Sequence, residues 1–302
     1  MYSNIAKNKR NSWLLIGIFI IIVTLLGFVF SQALDNQFIL YVAVGLSLLY
    51  TWVSYYNSDK MILAVSKARE VKKRDAPTLY RTVENLAITA GLPTPRVYII
   101  NDSAPNAFAT GRDPQHAVVA ITTGLLDKLD KPELEGVIAH ELSHVGNYDI
   151  RLMSLVTVLV SIIALLSDLF LRWGFFLGGG DDDNGGGNGQ AIFLVIALLL
   201  AIVAPIIGLI IQMSISRKRE YLADASGALL TRYPEGLARA LKKISSDTEP
   251  LEAANKATEN LYIINPLRDN VEDKRKRFAG LFSTHPPVED RIKKLTEMKS
   301  EV

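Results

Sequence analysis

The sequence predicts an α+β, mainly helical protein in which four transmembrane helices carry a domain built on one side of the membrane. Three observations lead there. Long apolar runs recur at four places in the 302 residues, and apolar residues make up 49% of the chain. The mean hydropathy of +0.20 is high for a water-soluble protein. Between and after the runs lie polar stretches with the periodicity of helices and short strands. Cysteine is absent, which excludes disulfides and thiolate metal sites. The formal net charge of +2, with no Gly-rich phosphate loop and no basic-aromatic stripe, points away from nucleic acid.

The first run, Trp13–Phe30, is uncharged and gives about 27 Å of helix at ~1.5 Å per residue, enough for a hydrocarbon core. Lys7, Lys9 and Arg10 precede it as they would a signal peptide. The run is long for that role and a second follows closely, so it reads as a retained anchor. The second run, Phe38–Tyr56, ends in aromatic residues suited to a membrane interface. The third, Leu152–Leu177, holds Asp168 and Arg172 at i,i+4 spacing. The fourth, Ala191–Met213, contains Pro205, where a kink is expected.

Orientation follows from the basic residues. They cluster in the N-terminal tail, at Lys67, Arg69, Lys72, Lys73 and Arg74, and at Arg217, Lys218 and Arg219. The opposite loops, Ser31–Gln37 and Gly178–Gln190, have none. The positive-inside rule therefore puts the N-terminus, 57–151 and 214–302 in the cytoplasm. The chain divides into a tail with a membrane hairpin (1–56), a first cytoplasmic part (57–151), a second hairpin (152–213) and a second cytoplasmic part (214–302). The stretch GGGDDDNGGGNGQ lacks calcium-loop spacing and reads as a flexible acidic linker.

The chemistry lies in the cytoplasmic parts. A helical pattern over Lys131–Ile150, with Pro132 at its start, carries His140, Glu141 and His144 in the stretch HELSH. Histidines four apart face one side of a helix, so both imidazoles can reach one cation. Zinc suits two neutral imidazoles and a carboxylate, and Glu141 is positioned as a general base. The bland alternative is a helix surface that happens to carry two histidines. A third ligand is available after the fourth run, where Glu220 and Asp224 stand i,i+4 in SRKREYLADASGALL. One carboxylate can bind the metal while the other orients an imidazole through its free N–H. Two membrane crossings separate His144 from Glu220, which returns the carboxylate to the side of the histidines. Asp149 reads either as an acid behind the ligands or as a helix-end charge beside Arg151.

HELSH followed by Asp149, then REYLAD after a hydrophobic hairpin, resembles the HtpX-type membrane zinc endopeptidases, relatives of the CAAX-processing proteases. The likeness extends over the whole chain, including the terminal THPPVEDRI. It implies His140, His144 and Glu220 as ligands of one zinc ion per chain, Glu141 as the base and Asp224 as the acid behind the ligands. It also implies that His285 and Arg291 face the substrate carbonyl and that Asn106, Ala107 and Phe108 form a strand edge that pairs with substrate. Without it, His285 precedes a Pro-Pro turn and Arg291 is a helix-surface charge.

Around the site, Pro95–Gly111 reads as strand, turn and short strand, and His116–Leu129 as a strand running into a helix, with His116 in a solvated turn. Val271–Arg277 reads as a solvated or headgroup-facing segment. The whole is a cytoplasmic zincin-like catalytic domain in two non-contiguous pieces on four membrane helices. The implied activity is cleavage of misfolded or surplus membrane and cytoplasmic proteins in quality control. Its implied partners are polypeptide substrates, the lipid bilayer and a membrane quality-control protease, in a bacterial cytoplasmic membrane. A site-2-type intramembrane protease is disfavoured because Lys131, Glu133, Glu135, Asn147 and Asp149 make the HELSH helix too polar for a span. A CAAX-type enzyme would need more spans to enclose a chamber. A scaffold with structural zinc would close its site with four protein ligands.

Overall fold

The structure, a computed structural model, describes residues 2–33, 35–178, 217–254, 258–266 and 286–298. The fourth apolar run, the acidic linker, the 271–277 segment and His285 lie outside the described residues. Helices α1 (Tyr2–Ala33) and α2 (Phe38–Val65) form the first hairpin. At Gly27 a Cβ would come within 2.3 Å of the Ala43 Cβ, so the missing side chain lets the two backbones close up. Both helices are long and apolar enough to cross a membrane.

Both also outrun their apolar segments. The first turns of α1 bury Asn8, Asn11 and Ser12 against the rest of the protein. Helix α2 continues past the aromatic cluster through a kink at Asn57 (φ −129°), whose amide donates to Val53 O at 3.1 Å. Backbone hydrogen bonds carry a helix on where hydropathy ends, provided the polar side chains find partners.

Between the hairpin and the site lies a four-stranded sheet in the order β1 (Arg69–Glu70), β2 (Arg96–Ile100), β4 (Val118–Thr122), β3 (Ala107–Thr110). β2 and β4 are parallel, and β1 and β3 flank them antiparallel. The strand–turn–strand and strand–helix readings match these elements, β4 running straight into α4 (Thr123–Lys128). His116 ends a short 3₁₀ turn, half exposed, beside Asp113 and Arg112.

Helix α3 (Pro77–Thr89), the sheet, α7 (Arg217–Thr231) and α8 (Pro234–Ser246) pack around α5 (Lys131–Gly146). Val137, Ile138, Leu142 and Val145 of α5 share one core with Val119, Ile121, Leu237 and Leu241. The start of α5 is a capping box, Asp130 accepting from Glu133 N and Glu133 answering to Asp130 N. Gly136 admits α8, since a Cβ there would lie 2.7 Å from Leu237 N.

The helix expected over Lys131–Ile150 breaks. α5 stops at Gly146, Tyr148 adopts φ +61°, and α6 (Asp149–Gly178) leaves at 83°. Apolar periodicity resumes at once in α6, which hides the break from a sequence reading. Leu152, Leu155, Val156 and Leu159 of α6 then pack on Leu15, Ile16, Phe19 and Ile22 of α1. α6 covers the third apolar run, and counts as a third crossing when the bent α5–α6 pair is taken as one broken span. The side chains of Asp168 and Arg172 are outside the described set. Helix α9 (Val288–Met298) closes the site from behind.

Candidate metal centre

His140 and His144 lie one turn apart on α5 with their Nε2 atoms 3.2 Å from each other. Glu220 of α7 faces both, its Oε1 3.5 Å from His144 Nε2 and its Oε2 3.7 Å from His140 Nε2. All three are buried and their ligand atoms lie within 4.8 Å of one another. Glu220 gets there because α7 lies directly on α5. A Cβ on Gly227 would sit 2.9 Å from His140 N, so only glycine admits this approach.

The outward nitrogens are matched to carboxylates. His144 Nδ1 is 3.0 Å from Asp149 Oδ2, and His140 Nδ1 is 2.9 Å from Asp224 Oδ1. The His140 contact is close but poorly aligned for a hydrogen bond, so its character is mainly electrostatic. The elbow at Tyr148 turns the Asp149 carboxylate back onto His144. Asp224 is in turn gripped by Arg291 of α9 through Nε at 2.8 Å and Nη2 at 2.7 Å, while Nη1 donates to Ile263 O at 2.8 Å. Arg291 is completely buried. Its guanidinium thus faces Asp224 and Ile263, with Nη1 also 3.9 Å from Glu220 Oε2.

These residues fit a divalent cation. Two imidazole nitrogens ~2.05 Å from one tetrahedral ion lie about 3.3 Å apart, near the separation observed here. Four buried carboxylates, Glu141, Asp149, Glu220 and Asp224, face the two guanidiniums of Arg219 and Arg291, so a dication balances the charge. Without one, a proton between the two Nε2 atoms would have to hold them together. Burial alone would lower the His144 pKa, but Asp149 and Glu220 outweigh it and bring it to about 9. Burial does lower His140, partly offset by Asp224. Burial would raise Asp224, yet Arg291 and His140 hold it to about 2.

Glu141 points from α5 towards β3. Burial lifts its carboxyl to about 7, against the pull of His144 and a hydrogen bond from Ala109 N. Around it, the predicted strand edge exists but is partly covered by the chain itself. Thr122 N donates to Asn106 O, so alternation turns the main-chain groups of Phe108 towards β4 and those of Ala107 and Ala109 outwards. Ala107 O accepts from Ile263 N at 3.0 Å, Ala107 N donates to the Asn106 side chain, and Asn106 Nδ2 donates to Ile264 O. Phe108 meets the Tyr262 ring edge-on at 5.0 Å.

Three contributors escaped the sequence reading. Arg219 approaches Asp149 at 3.4 Å, and Asn8 of α1 donates to the same carboxylate at 2.6 Å. Ile263 crosses the strand edge. In the sequence Arg219 is one of a basic cluster after the fourth apolar run, with nothing local to pair it with Asp149; Asn8 and Ile263 have no local signal, because their contacts are set by tertiary packing.

Residues 73–299 match the family described as Peptidase family M48. The chain is 46% identical over 301 residues to "Protease HtpX homolog" of Tropheryma whipplei (strain Twist), covering 99% of this chain and 98% of that one. It is 43% identical over 298 residues to the protein of that name in Dictyoglomus thermophilum (98% and 94% covered). With the one from Listeria monocytogenes serotype 4b it shares 44% over 308 residues (99% and 100% covered). The fold is similar to the crystal structure of S. mikatae Ste24p, with a TM-score of 0.52 at 18% identity over 98% of this chain and 67% of that one.

Proposed function

The chain belongs to peptidase family M48 and is a membrane-bound metallopeptidase; on that premise we propose a zinc-dependent endopeptidase of a bacterial cytoplasmic membrane, acting from the cytoplasmic side on misfolded or surplus proteins. One observation carries the chemical part. Two imidazole nitrogens and a carboxylate converge in a buried site while a carboxylate stands behind each imidazole. That is the arrangement of a site built to hold an ion and leave a position open.

His140, His144 and Glu220 would hold zinc, which when bound acts as a Lewis acid towards a water and the scissile carbonyl. Glu141 takes the proton of the attacking water and returns it to the leaving amine. The hydrogen bond from Ala109 N holds that carboxylate between the ligands and β3, where the substrate backbone would run. Asn106, Ala107 and Phe108 shape that edge, with Ala107 offering its outward carbonyl once Ile263 gives way. Asp149 and Asp224 orient the two imidazoles, and Arg291 acts through Asp224 as a positioning residue. The oxyanion donor is assigned to His285, which precedes α9 by three residues in the sequence, on the resemblance of THPPVEDRI to the family.

Four spans, with the two cytoplasmic parts meeting at the metal, are supported by the basic-residue pattern and by the Asn8–Asp149 bond, which requires the N-terminus and the site to share one side. The bilayer, a polypeptide substrate and a quality-control protease are the proposed partners. The deciding comparison is Glu141→Gln against wild type, both stripped by chelator in detergent and resupplied with zinc, with an unfolded protein as substrate. Wild type is expected to cut and the variant to bind equal zinc without cutting. Equal cutting by both would sink the role of Glu141, and zinc binding without cutting by either would favour a structural ion.

A further inference from the structure

Asn8 stands in the first turns of α1, ahead of the apolar run, yet it is 2% exposed. Its Nδ2 donates to Asp149 Oδ1 at 2.6 Å and to Asn147 O at 3.0 Å. The next residue, Lys9, places its ammonium 4.3 Å from the centre of the Tyr148 ring. Two consecutive residues of the membrane helix thus hold all three residues of the elbow between α5 and α6. That elbow needs holding, because a left-handed non-glycine residue such as Tyr148 costs about 1–2 kcal/mol. It also carries Asp149, whose other oxygen faces the outward nitrogen of His144.

We propose that Asn8 is a positioning residue of the metal centre, fixing the Asp149 carboxylate through which His144 is oriented. The proposal rests on the metal reading above. The chemistry of the donor suits the task. A neutral amide fixes one carboxylate oxygen without cancelling the charge that the imidazole N–H must meet. Arg219, whose Nε lies 3.4 Å from the same oxygen, is a looser contact and cannot set the carboxylate's rotation alone. The consequence is that the seating of α1 and the affinity for metal are coupled, so the helix that anchors the protein is also part of its active centre.

The test uses full-length, metal-stripped protein in detergent and measures zinc affinity by competition with a chromophoric chelator. Melting of the metal-free forms is followed in parallel. Asn8→Ala and the similarly shaped Asn8→Leu, neither of which can donate, are compared with Lys9→Ala, which loosens the same turn without touching Asp149. Both Asn8 variants are expected to bind zinc about tenfold more weakly, the size of loss that outer partners of a ligand cause. Lys9→Ala is expected to melt earlier and keep wild-type affinity. Should Asn8→Ala fail to fold, Asn8→Leu decides. Wild-type affinity in the Asn8 variants overturns the proposal, as does an equal loss in Lys9→Ala, which would assign the effect to packing of the elbow. A wild type that takes up no zinc overturns the metal reading and this proposal with it.

Discussion

Arg291 carries two of its hydrogen bonds on one buried carboxylate, and that decides what its loss would do. Arg291→Met takes away the guanidinium that neutralises Asp224 and leaves that buried carboxylate only its contact with His140, at a cost of about 3–5 kcal/mol. Against a total stability of about 5–15 kcal/mol, this should appear as a large drop in melting temperature and in bound metal. A donor to the substrate carbonyl would instead lower kcat and leave melting unchanged, so calorimetry beside kinetics separates the two roles. Arg291→Lys should fall between, keeping a charge but losing the two-point grip. At this scale the sequence disclosed what helix spacing controls. His140 and His144 share a face, and Glu220 and Asp224 share another, because four residues make about one turn. Which carboxylate meets the nitrogens, and that Arg291 lies behind them, depends on how α7 and α9 dock. No local pattern encodes that docking.

Among the elements, α5 and α7 set the geometry by touching backbone to backbone. Gly227→Ala would put a methyl group 2.9 Å from His140 N and 3.2 Å from Ala139 C, neither of which can move aside as a side-chain tip could. The helices must part, carrying Glu220 away from both imidazoles. Zinc affinity is expected to fall at least tenfold while the far-ultraviolet signal of helix stays, and wild-type affinity in this variant would refute the close-contact argument. The elements themselves were largely readable. The strand readings of Pro95–Gly111 and His116–Leu129 marked β2, β3 and β4, and Pro132 marked the start of α5. The elbow at Tyr148 was not, since the apolar pattern runs through it and the turn is held by α1 from outside.

For the whole molecule, the proposed topology has four crossings with both termini and both halves of the site on one side. The absence of cysteine makes a direct check simple. Lys73→Cys and Asp182→Cys can each be exposed in whole cells to a thiol reagent that does not cross the membrane. Labelling is expected at position 182 in intact cells and at position 73 only after permeabilisation; the reverse, or no difference, would contradict the assignment. The described residues include two helices long and apolar enough to cross a membrane, and the four apolar runs and the one-sided basic pattern on which this proposal rests were legible in the sequence. The burial of the α1 start against the catalytic part was not, because Asn8 looks like any polar residue of a tail.

In the proposed pairing of substrate with β3, the bond from Ile263 N to Ala107 O makes the chain a rival for its own strand edge. A tethered rival acts at an effective concentration on the order of mM, far above that of a free polypeptide. An incoming strand therefore displaces it only by pairing over a longer stretch than Ile263 does, which extended, unravelled chains can offer and short or folded ones cannot. Selection by length and disorder then emerges from competition at one carbonyl, and is read in KM.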